Sequence, residues 1–251
     1  MKSICQVRYS SIVLVCFALF TSAGARANEM VNLVSADFPP YFGPNLPHGG
    51  LITQIVIQAF RRSNYTAQVQ FLPWPRAIAE VREAKTDGML ALPEMREEEA
   101  WFAYSAPILQ LQLGFFKQRD RQIEFKDMLD LKQFKIGTVR GYPNPPIFSY
   151  AQLSSFDSLD DATNLRKLAV GRLDLVLTDR LVGKFLLESR LADMRVALAW
   201  QGQAIATPAQ YLVLAKKRPG YEKKMQAFND GLQQMAQDGS LKELLRQAGV
   251  E

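Results

Sequence analysis

The chain has 251 residues, 30 of them Lys or Arg and 25 Asp or Glu, for a formal net charge of +5. No Lys/Arg cluster concentrates that excess, which excludes a nucleic-acid surface. The length suits one large domain or two modest lobes.

The N-terminus predicts a cleavable signal peptide over residues 1–27. Lys2 and Arg8 precede an apolar run from Ile12 to Phe20, and small residues follow to Ala25-Arg26-Ala27. A charged start, a short apolar stretch and a small-x-small exit form that signature. The run is too short for a spanning helix, which needs about 20 apolar residues. Cys16 does not make this a lipoprotein signal, because Val15 stands where a small residue is required. Cleavage removes both cysteines together with Lys2, Arg8 and Arg26, leaving 224 residues with a charge of +2. No thiol chemistry is then open to the mature chain, and His48 is its one histidine. Cys/His metal clusters and nucleophile pairs are excluded, and no Gly-rich phosphate loop or Asp/Glu metal spacing appears. No cofactor is expected.

Residues 31–36 read as a strand, followed by the loop Asp37-Phe38-Pro39-Pro40-Tyr41-Phe42, whose prolines disfavour helix. Apolar residues at Leu51, Ile52, Ile55, Val56, Ala59 and Phe60 predict a helix over 51–62. A strand over 68–72, a helix over 74–85 and a buried strand over 88–92 follow. The pattern then restarts, with strands over 111–117 and 134–139. A helix runs from a Ser158/Asp161 capping box to about Val170. A strand over 173–177, a helix over 180–190, and strands over 195–199 and 211–215 come next. The chain ends in a helix over 221–237, a Gly239 stop, and a second capping box at Ser240/Glu243. Two α/β units in succession predict two largely parallel sheets, with ligands outside the carboxyl ends of the strands.

Several of these segments, in this order, resemble family 3 of the periplasmic solute-binding proteins, the polar amino-acid-binding type. The matching pieces are Asp37-Phe38-Pro39-Pro40-Tyr41, Gly50-Leu51, Trp74-Pro75-Arg76-Ala77 and Thr86-Asp87-Gly88. Arg96 with Tyr104-Ser105-Ala106-Pro107, the run from Lys135 to Gly141, the run from Gly171 to Asp179, and Gly239-Ser240-Leu241-Lys242 complete the set. The resemblance implies a type II periplasmic-binding-protein fold. Two α/β lobes are joined by two crossing strands, near residues 107–112 and near Tyr211, with ligand clamped between them. The expected division is a discontinuous first lobe of 28–110 plus 212–251 and a second lobe of 111–211.

By the same resemblance, Arg96 forks onto a ligand carboxylate, pairing two oxygens through its planar guanidinium. Asp179 accepts hydrogen bonds from a ligand ammonium, although Asp at that position also suits the N-cap of the helix beginning at Arg180. Phe38, Tyr41 and Trp74 are candidate aromatic walls, with ordinary core packing as the alternative. Arg76 either faces the cleft or pairs on its helix surface. Gly141 and Tyr142 stand at the second-lobe loop. Pro93 replaces the family's usual Thr three residues before the arginine. The loop Gly141-Tyr142-Pro143-Asn144-Pro145-Pro146 replaces its usual Ser or Thr after the glycine.

The expected function is non-catalytic binding, in the periplasm, of a small polar solute. The solute would be carboxylate-bearing, an amino acid or a related compound, and would be delivered by a monomeric protein to an ABC-type permease. A sensory or partner-docking module is the alternative. A cyclohexadienyl-dehydratase-like enzyme with Glu94 as general acid is a further one.

Overall fold

The computed structural model describes residues 28–250; the predicted signal peptide lies outside them. The first sheet has the order β2-β1-β3-β10-β4, and the second β7-β6-β8-β5-β9. Each sheet has helices on its two faces. No helix among the described residues is long and apolar enough to cross a membrane.

In the first lobe β1 (Glu29–Ser35) pairs in parallel with β2 (Tyr65–Phe71) and β3 (Gly88–Leu92). Helix α1 (Leu51–Arg62) makes the β1–β2 crossover, and α2 (Trp74–Arg82) the β2–β3 one. β3 is buried along its whole length because helices cover both faces of the sheet. Val34, Met89, Leu92 and Val213 pack on Ala77 and Val81 of α2. On the opposite face Ile52, Ile55, Ala59 and Phe60 of α1 meet Phe228 and Leu232, with the Phe60 and Phe228 centroids 5.4 Å apart.

Strand β4 (Phe102–Gln110) runs antiparallel to β10 (Ala209–Ala215), and both continue into the second lobe. Sequence periodicity did not reveal β4, because Pro107 and exposed Ala106 interrupt its alternation. β5 (Leu113–Gln118) follows at once and lies between β8 (Leu175–Asp179) and β9 (Leu198–Trp200). β6 (Ile136–Val139) pairs in parallel with β7 (Ser155–Ser158) and β8. Helices α4 (Asp161–Ala169) and α5 (Arg180–Ser189) cover one face, and the short α3 (Pro146–Tyr150) sits at the other, with Phe148 buried beside Phe115 and Ile136. The chain returns through β10, and α6 (Tyr221–Gln237) and α7 (Ser240–Gln247) pack on the first lobe.

Neither predicted capping box forms. Asp160, not Ser158, caps α4, accepting from the Thr163 N–H at 2.6 Å. Ser158 instead ends the edge strand β7. Gly239 is the N-cap of α7, and the Ser240 hydroxyl accepts from Arg62 Nη2 at 2.8 Å. In both places a tertiary or sheet partner claims the side chain that a local motif would use.

Candidate functional site

The loops after β1, β2 and β3 in one lobe and after β6 in the other converge on a cleft of about 920 Å³. This is the carboxyl end of the parallel strands of both sheets, where open α/β sheets bind ligands. The first lobe contributes Asp37, Phe38, Phe42, Phe71, Trp74 and Glu94. The second contributes the loop Tyr142 to Pro146, and the crossing segments add Leu111, Leu113, residues 206–208 and Gln210.

An aromatic cluster forms the centre. Phe38 stacks on Tyr41 with centroids 5.7 Å apart and packs on Phe42 at the same separation. Tyr142 meets Phe38 edge-on at 5.9 Å, so the two lobes touch through this pair. Gly141 has φ +83, a left-handed turn residue that sets Tyr142 onto the cleft while lying outside its lining. The Tyr142 phenol is pushed above its ordinary pKa, first by burial and then by the negative charges of Asp161, Asp160 and Asp37. It remains a neutral donor at physiological pH.

Of the residues singled out in the sequence, Phe38, Trp74 and Tyr142 line the cleft. Tyr41 and Asp179 meet each other elsewhere, beside a separate cavity of about 290 Å³. The Tyr41 hydroxyl donates to Asp179 Oδ1 at 2.9 Å, and that oxygen also accepts from the N–H groups of Leu181 and Val182. Asp179 Oδ2 accepts from the Gln112 N–H at 2.8 Å. The N-cap role expected for Asp179 is the one the structure displays: its carboxylate is buried, engaged by protein donors, and caps α5. Burial pushes Asp179 upward despite those bonds, and burial together with the Asp179 charge pushes Tyr41 upward.

Arg76 is not among the residues that line the cleft and pairs with Glu80 one turn along α2 at 3.1 Å. Arg96 begins a one-turn 3-10 helix two residues after Glu94, and its side chain lies outside the described part of the structure. The charged side chains that line the cleft among the described residues are both acids, Asp37 and Glu94. Sequence reading passed over Asp37 as a binding residue, although it directly follows the first strand. Residues 206–208 carried no periodic signal and enter the site only because the chain crosses back there.

No family model matches the sequence, and no curated protein matches it. Solved structures do. The GluR0 ligand-binding core from Nostoc punctiforme, in complex with L-glutamate, aligns with a TM-score of 0.71 at 15% identity, covering 88% of this chain and 100% of that one. The two-lobed periplasmic-binding-protein fold is therefore shown. A histidine kinase sensor domain with similarity to periplasmic binding proteins aligns at 0.72 and 16% identity, covering 88% and 97%. The amino acid ABC transporter substrate-binding protein AbpA from Streptococcus pneumoniae, bound to L-arginine, aligns at 0.68 and 16%, covering 88% and 94%.

Proposed function

We propose that this protein is a non-catalytic solute-binding protein of the periplasm, exported by its 1–27 signal peptide. It would clasp a small organic solute between its lobes and deliver it to an ABC-type permease. The observation that carries this reading is the cleft itself: about 920 Å³, mostly apolar, and walled by both lobes at the ends of their strands. Pockets of this size and character hold small organic ligands. A pair of lobes joined by two adjacent strands closes by hinge motion. The structural neighbours named above are binding and sensing domains. The same site serves a sensory role equally well in chemical terms, and a permease encoded beside the gene favours transport.

Arg96, at the start of the turn beyond Glu94, is the proposed carboxylate partner in this reading. Thermal-shift screening of the purified protein against amino acids, organic acids and amines tests the binding role. A stabilising ligand that also compacts the protein in small-angle scattering supports it, and silence across the screen overturns it. For a carboxylate ligand found in this way, Arg96→Ala abolishes binding while the circular dichroism spectrum is unchanged. Unchanged affinity in calorimetry removes Arg96 from the site. Turnover of a prephenate-like acid by the wild type would instead favour the enzyme reading with Glu94 as acid.

A further inference from the structure

The solute-binding reading leaves the ligand's chemistry open, and the cleft wall narrows it. Recognition of an anion needs N–H donors or cations, whereas recognition of an organic cation needs carboxylates and aromatic faces. Among the described residues the wall carries no cationic side chain, and its side-chain donors are neutral groups such as those of Asn144, Thr207 and Gln210. Pro73, Pro93, Pro143, Pro145 and Pro146 all line it, and proline carries no backbone N–H. Helix α3 opens toward the cleft with Pro145 as N-cap and Pro146 as first residue, so these two positions bring no N–H, and the Phe148 N–H is bonded to the Pro145 carbonyl, which leaves the helix start with fewer of the free N–H groups that attract anions. In contrast, acceptors are plentiful. Asp37 and Glu94 supply carboxylates, and Phe38, Trp74 and Tyr142 supply ring faces.

Resting on the solute-binding reading, we infer that the ligand is an organic amine with a bulky apolar body, its protonated nitrogen received by Asp37 and Glu94 and its body by the Phe38, Trp74 and Tyr142 rings. The volume of about 920 Å³ leaves room for a body larger than an ordinary amino-acid side chain. Asp37 lines the cleft, and its carboxylate also lies against Gly43, where a Cβ would come within 2.2 Å of Oδ1. Any side chain at Gly43 therefore displaces the carboxylate, which gives a second handle on the site.

Calorimetry with three probes of matched shape tests this: 2-phenylethylamine, 2-phenylethanol and phenylacetate, each against the wild type, Asp37→Asn, Glu94→Gln and Gly43→Ala. The expected result is that the amine binds at least tenfold tighter than the alcohol. Each carboxylate variant loses at least tenfold for the amine and leaves the alcohol unchanged, with melting temperatures near the wild-type value. Gly43→Ala weakens the amine selectively. Equal affinity for amine and alcohol, or tighter binding of phenylacetate, overturns the cation assignment and leaves solute binding standing. Absence of binding by all three overturns the cation assignment, and the solute-binding reading falls only if the wider screen is also silent.

Discussion

The Tyr41 hydroxyl and the Asp179 carboxylate, in different lobes, are joined by a 2.9 Å hydrogen bond. Asp179 also caps α5 and receives the Gln112 N–H from the crossing, so one buried carboxylate ties together a lobe-one loop, a lobe-two helix and the hinge. Tyr41→Phe should lower stability by roughly 1.5–3 kcal/mol, the range for a hydrogen bond to a charged group. Asp179→Ala should cost more, because it also strips an N-cap and leaves the Tyr41 hydroxyl unpaired. Thermal unfolding measures both. If Asp179 were the ligand's ammonium partner, Asp179→Asn would change affinity far more than melting temperature. The opposite ranking is expected.

Asp161, at the first turn of α4, is buried, and its Oδ1 lacks a hydrogen-bond partner among the described residues. Burial, with smaller contributions from the Asp160 and Asp179 charges, outweighs a Thr178 hydrogen bond and pushes its pKa up from 3.8 to about 6. The folded state then holds this proton more tightly than the unfolded chain. Its contribution to stability is therefore fully present below the unfolded value of 3.8 and is lost as pH rises through about 6. The amount at stake is on the order of 3 kcal/mol. Asp161→Asn should flatten this part of the pH–stability profile and raise the melting temperature at pH 7–8. A variant profile that still falls over that interval counts against Asp161 as the cause.

Asp87 anchors the start of β3 to the C-terminal helices. It accepts from the Asn32 N–H at 2.8 Å and pairs with Arg218 and with buried Lys224, each at 3.1 Å. Burial raises its pKa, but the Asn32 and Lys224 hydrogen bonds and the cationic charge prevail and hold it below the ordinary value. Its contribution is thus present above the unfolded pKa and is lost as pH falls through the folded one. Asp87→Ala leaves the Lys224 ammonium with Glu29 at 3.6 Å as its remaining acidic neighbour and should cost roughly 3–5 kcal/mol in denaturant unfolding. Replacing Lys224 by Met in that background should recover part of the loss.

The backbones of helices α1 and α6 come close at Gly231, where a Cβ would lie 1.9 Å from the Ala59 carbonyl oxygen. Backbone cannot yield as a flexible side chain can, so Gly231→Ala should force the helices apart and cost about 1–3 kcal/mol. Gly220→Ala, with open space around its Cβ, isolates the backbone term alone, since its φ is +73. A Gly231→Ala loss no larger than that of Gly220→Ala would show that α6 shifts freely.

Much of the architecture was legible in the order of residues. The helix bounds at Leu51–Arg62 and Tyr221–Gln237 and the strand Gly88–Leu92 agree with the periodicity of their apolar positions. Local pattern decides such elements because a buried face imposes its own spacing. β4 was not legible, because β10 supplies its pairing and Pro107 hides its alternation. The two capping boxes failed because the hydroxyls of Ser158 and Ser240 have other partners: Lys167 Nζ, farther along α4, at 2.7 Å, and Arg62 Nη2 of the distant α1 at 2.8 Å.

The site divides in the same way. Residue type pointed to Phe38, Tyr41 and Trp74 as aromatic walls, and the family resemblance drew attention to the Tyr142 loop; Phe38, Trp74 and Tyr142 line the cleft. Whether Asp179 and Tyr41 would face a ligand or each other depended on how the second lobe sits against the first. That arrangement sets a 2.9 Å contact between residues 138 positions apart. A carboxylate has several acceptor positions, and local sequence cannot specify which donors reach them. Tertiary packing also placed Asp37 and Glu94 in one cleft, although each stands beyond a different strand of the first sheet.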